Sequence, residues 1–272
     1  MRKFILLFSV LLFNLVEVNN GNYYQQKADV FDCVKDKIVD IEESISQRYK
    51  DSCNFYIDYK CVACHNLRQE DLNFVYNRKH NVTYKGTCSI VAATMCEKFY
   101  MENSDKPIYV STNTLFDESM IYARAKEFYN GDGTIAGKSG EIASFIFKEY
   151  NINNSIWTNK DNIFQGIKDF TVSDNCGKKG KVQIFGVKGH DMIANGWLEI
   201  SFDYQEEHQF LWNHWETTEH KTMQYVIVCT GWENSYTDEV TNLVQVEKAY
   251  DFFEMGTIEN YVIGIDFPER NC

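Results

Sequence analysis

Gly86-Thr87-Cys88-Ser89-Ile90-Val91-Ala92-Ala93-Thr94-Met95 sets a turn, a thiol and an apolar run in immediate succession. Glycine interrupts the chain, Cys88 follows, and small and apolar residues run on from it. That order starts a buried helix with a cysteine. The first backbone N–H groups of a helix have no intrahelical partner and carry the positive end of its dipole. A thiol held there is expected to ionise nearer neutral pH and to serve as a nucleophile. Half of a disulfide, or a small core residue, would use the same residue types. The helix is expected to reach about Tyr100, with Ile90, Val91, Met95, Phe99 and Tyr100 on its apolar side.

A cysteine nucleophile needs a base, usually an imidazole. The chain offers His65, His80, His190, His208, His214 and His220. Only His190 follows a glycine turn and opens an apolar strand, in Gly189-His190-Asp191-Met192-Ile193-Ala194-Asn195-Gly196-Trp197. An imidazole there sits at a strand mouth, rigidly held and partly open. His208, His214 and His220 are spaced by six and would share a face of one continuous strand. Thr217-Thr218-Glu219 reads as a turn that breaks this face, so no metal is expected there.

Around these blocks the order is helices first and strands after, which indicates α+β. Val30, Val34, Ile38, Ile41 and Ile45 recur at helical spacing. Further helices fit Asp117 to Tyr129 with Asp117 as cap, Ser139 to Tyr150, and Asp161 to Phe170. Strands fit Val182 to Val187, His190 to Trp197, Gln209 to Trp212, Tyr225 to Cys229 and Tyr261 to Ile265. Asn130-Gly131-Asp132-Gly133 looks like part of an EF-hand loop, but Phe128 and Ser139 stand where its outer carboxylates belong, so calcium is rejected.

Arg2 and Lys3 followed by the apolar run Phe4 to Val16 read as a secretory signal ending near residue 21. Residues 22–68 form a cysteine-rich helical region or propeptide, and 69–272 the main domain. The nine cysteines of an exported chain pair to leave one over, and Cys88 fits the odd thiol. Cys33, Cys53, Cys61 and Cys64 are expected to form structural disulfides, since the Cys61–Cys64 motif lacks a second pair for zinc and a βαβ unit for redox work. Asn81 and Asn153 head glycosylation sequons. The net charge of −12 argues against nucleic acid and against anionic membrane as partners.

The block at 86–95, the block at 189–197, and Tyr225-Val226-Ile227-Val228-Cys229-Thr230-Gly231-Trp232 together resemble the papain-fold cysteine peptidases. The likeness is greatest to the C39-like and secreted cysteine peptidases of microbes, whose logic streptopain-type enzymes share, and it covers roughly residues 70–235. It implies a central helix bearing the cysteine, packed on an antiparallel sheet bearing the histidine. It also implies a secreted peptidase that takes protein or peptide substrates and uses neither metal nor organic cofactor. Cys88 becomes the nucleophile and His190 the base. The family places Asn or Asp before Gly-Trp to orient the histidine, and this chain has Thr230. Asn213, in Phe210-Leu211-Trp212-Asn213-His214-Trp215, is the rival for that role. Trp232 or Trp215 would shield the orienting bond. The family's oxyanion-holding glutamine upstream of the cysteine is missing, which leaves Asn81 or a residue from elsewhere. Amidase or transglutaminase-type chemistry, and a degenerate domain that only binds, remain open alternatives.

Overall fold

The computed structural model describes residues 34–62, 67, 69–103, 107–128, 139–149, 155–159, 163–171, 182–187, 190–231, 236–237, 244–245, 250–255 and 260–266. The signal-like segment, Cys33, Cys64, His65, the Asn130–Gly133 break, the Asn153 site and Trp232 lie outside these residues. The fold is mixed α+β. Its helices are α1 (34–48), α2 (Gln69–His80), α3 (Cys88–Asn103), α4 (Thr112–Ala125), α5 (Ser139–Glu149) and α6 (Ile163–Thr171). Its strands are β1 (Cys53–Cys61), β2 (Ser155–Asn159), β3 (Gln183–Val187), β4 (His190–Phe210), β5 (Asn213–Cys229), β6 (Tyr236–Thr237), β7 (Val244–Gln245), β8 (Tyr250–Glu254) and β9 (Asn260–Asp266).

An antiparallel open sheet runs in the order β2-β9-β3-β4-β5-β8. Strand β4 is long enough to take two partners in succession. β3 pairs with it from His190 to Ala194, and β1 from Gly196 to Asp203. Alternation along the strands divides the sheet into two apolar faces. Ile184, Ile193 and Cys229 join the cluster around α3. Phe185, Met192, Ala194, Val226 and Val228 join Ile163, Phe164 and Ile167 of α6. Helix α3 is buried on nearly every side, from Ser89 through Met95 to Met101. Its apolar residues run all round it, as a helix enclosed between a sheet and other helices requires.

Two compact units are distinguished. One holds the described residues up to Ser52 with Tyr204–Glu219, the other Cys53–Asp203 with His220 onward. In the first, Val34, Ile38, Ile41 and Ile45 of α1 are buried, as their spacing predicts. Beyond α1, the Gln205 N–H donates to the Lys50 carbonyl at 2.9 Å and the Tyr49 ring meets Tyr204 edge to face. No helix among the described residues is long and apolar enough to cross a membrane.

Several elements differ from the sequence reading. Residues 53–61 are a strand of the main sheet, although the cysteines suggested a stapled helical region. Cys53 and Cys61 are free thiols at opposite ends of that strand, so they cannot bridge each other. Helix α4 starts five residues before Asp117, because Ser111 caps it by accepting the Thr114 N–H at 3.2 Å. Asp117 instead pairs with Lys79. The expected turn at Thr217–Glu219 is strand, and the chain reverses at Leu211–Trp212, where Leu211 has a φ of 56°.

Candidate active site

Gly86 adopts a φ of 58°, a left-handed conformation that costs a residue without a Cβ little. It turns the chain into α3, where the Val91 N–H closes the first turn on the Thr87 carbonyl at 2.9 Å. Thr87 is buried and donates its hydroxyl to Asn73 Oδ1 on α2 at 2.7 Å. Cys88 is therefore the first residue of a 16-residue helix, half-buried and with a free thiol. Cys53, Cys61 and Cys96 are free as well, so parity alone does not single Cys88 out. Cys229 is disulfide-bonded.

The start of β4 lies against the start of α3. The buried Asp191 carboxylate accepts the Ser89 hydroxyl at 2.7 Å, and the Asp191 main chain comes close enough to the Cys88 sulfur to favour its thiolate. His190 is the residue before Asp191, and its Nε2 lies 2.7 Å from the Thr230 main-chain carbonyl. A carbonyl only accepts, so Nε2 carries the proton and Nδ1 keeps its lone pair. Gly231 follows with a φ of 68°, and a Cβ there would stand 3.2 Å from Val91 in the first turns of α3. The Gln69 N–H donates to the Gly231 carbonyl at 2.9 Å, which ties this corner to α2.

Asp191, next to His190, and Gly231, next to Thr230, thus bring β4 and the end of β5 against the first turns of α3, while the His190 ring is placed by the Thr230 carbonyl. Thr230 reaches the imidazole through its carbonyl, where the sequence suggested its hydroxyl. Asn213 and Trp215 lie in the other unit, both exposed. Asn81 is exposed just past α2. Two participants had no sequence signal of their own. Ser89 and Asp191 each follow a singled-out residue, and only the fold shows that they bond.

Burial dominates the electrostatics, and the thiol moves opposite to the fall expected from its place at a helix start. Burial raises the Cys88 thiol above its ordinary value of 9.0. The Asp191 main chain pulls the other way, the Asp191 charge adds to the rise, and Ser89 opposes it. Burial also lowers His190 below 6.5, against the Thr230 carbonyl and the Asp191 charge. Both shifts favour the uncharged forms, so the resting site holds a neutral thiol and a neutral imidazole at pH 7. No family model, no curated protein and no solved structure matches this chain.

Proposed function

We propose that the chain is a secreted cysteine-type peptidase of papain-like design, with Cys88 as nucleophile and His190 as base. One observation carries this reading. The strand that His190 opens is tied to the residue after Cys88, because the next residue, Asp191, accepts the Ser89 hydroxyl at 2.7 Å. The Nε2-protonated tautomer leaves Nδ1 to take the thiol proton as sulfur attacks a peptide carbonyl. Because the resting pair is neutral, this transfer accompanies attack. The Asp191 carboxylate then stabilises the imidazolium that forms. The Cys88 backbone N–H supplies one donor to the oxyanion. Asn73 stands in for the absent glutamine, because Thr87 engages its oxygen and leaves its amide as donor.

A second reading rests on the raised thiol, which suits a degenerate domain of this design that binds peptide without cleaving it. The two separate on labelling of the purified, non-reduced protein with an electrophilic peptidyl probe. The peptidase reading expects labelling at Cys88 alone, though Cys53 is more exposed, and loss of both labelling and casein hydrolysis in Cys88→Ala and His190→Ala. Labelling absent from Cys88, or hydrolysis surviving Cys88→Ala, defeats it. The acid limb of kcat/KM should lie below the ordinary histidine value of 6.5, since the required neutral imidazole persists to lower pH.

A further inference from the structure

The outer part of the β4–β5 hairpin carries a side-chain cluster that the peptidase reading does not use. Glu206 and His208 are two residues apart on β4 and so share one face of it. Glu219 reaches them from β5, and one ligand atom from each of the three lies within 4.8 Å of the others. We propose that Glu206, His208 and Glu219 bind a divalent transition-metal ion of the Zn2+ type.

The protonation pattern prepares His208 for this. Thr217 Oγ1 donates its one proton to Glu219 Oε1 at 2.9 Å. It must therefore accept from His208 Nε2, 2.7 Å away. That puts the proton on Nε2 in the metal-free protein, so the nitrogen the proposal offers to the metal is Nδ1. A ligating imidazole with its second nitrogen bonded outward is the usual arrangement in metal sites. Trp215 stacks on the His208 ring at 5.6 Å between centroids, which holds its plane.

Charge favours a cation on this face. On the opposite face Lys50 pairs with both Glu207 and Glu216. Among the described residues Glu206 and Glu219 have no such cationic partner. Bonds of about 2.0–2.2 Å to zinc hold ligand atoms somewhat closer than the present spacing. Rotation of the exposed Glu206 supplies the difference. One imidazole with two carboxylates suits Zn2+, whereas Ca2+ requires more oxygen ligands than the cluster offers. The proposal is independent of the peptidase reading, because its residues belong to the other unit.

Calorimetric titration of ZnCl2 into the full chain tests it, with Cys88→Ala present to remove the thiol of the candidate active site. One saturable site per chain is expected. It should weaken at least about tenfold in His208→Asn, Glu219→Gln and the surface variant Glu206→Gln, and about 10–100-fold in Thr217→Val. His214→Asn and His220→Asn should leave it unchanged. Circular dichroism identifies any variant that fails to fold, and Glu206→Gln, at an exposed position, keeps the test decisive. No saturable binding, equal binding in the parent and in Glu206→Gln and His208→Asn, or displacement of Zn2+ by equimolar Ca2+ would overturn the assignment.

Discussion

Thr230 holds His190 through a main-chain oxygen, and that makes its side chain dispensable for the bond. On the proposed peptidase reading, Thr230→Ala should keep kcat/KM within about threefold of the parent, since one good hydrogen bond is worth about 1 kcal/mol and this one is retained. A side-chain orienter would lose far more, so a peptidase assay on Thr230→Ala separates the two. The candidates Cys88 and His190 could be picked out of the sequence because a glycine stands one or two residues before each and an apolar run follows. The acceptor for His190 could not, because every residue has a carbonyl and only the turn at Gly231 aims this one. The expected fall in the thiol pKa failed for a related reason. A helix start can be read from sequence, whereas the depth of its burial and the approach of Asp191 depend on where β4 lands.

At the scale of the element, α3 encloses a carboxyl with little compensation. Glu97 is fully buried, Ser119 reaches its Oε2 only at 3.5 Å, and Oε1 has no partner among the described residues. Burial raises it well above 4.5, the Ser119 bond opposes this, and the Glu118 charge adds to it. Above its ordinary value the unfolded chain gives up this proton and the native chain keeps it. The native state then binds more protons, and stability falls as pH rises. Glu97→Gln cannot ionise. It should gain stability over the parent at about pH 8 and converge with it near about pH 4, read from urea midpoints. The apolar period that marked α1 survived folding because burial imposes it, whereas α3, read as having one apolar side, is enclosed all round. The β4–β5 reversal was hidden because Phe210-Leu211-Trp212-Asn213 contains neither Gly nor Pro, while Thr217 and Thr218 suit a pleated strand as well as a turn.

Over the whole molecule, the position of β1 was least visible from sequence and has the widest structural reach. Its cysteines drew attention to disulfides, yet its place is set by a close approach to β4. Lys60 pairs with Trp197 and Cys61 with Gly196. A Cβ on Gly196 would stand 2.4 Å from the Lys60 carbonyl oxygen and 2.8 Å from Cys61 Cβ. Backbone cannot yield there as the tip of a side chain can. Just beyond, the Val62 N–H donates to the Asn195 carbonyl at 2.7 Å, and Asn195 Nδ2 to the Val62 carbonyl at 2.9 Å. Gly196→Ala must push β1 off this seam, at a cost on the order of 1–3 kcal/mol. In a chain of this size that lowers Tm by about 2–4 °C for each kcal/mol. The neighbouring thiol offers a local readout. Burial holds Cys61 up at about 11, so it reacts slowly with iodoacetamide in the parent. Displacement of β1 should let it ionise more readily and speed its alkylation well below the melting temperature. An unchanged Tm together with unchanged Cys61 alkylation in Gly196→Ala would show that β1 does not depend on this contact.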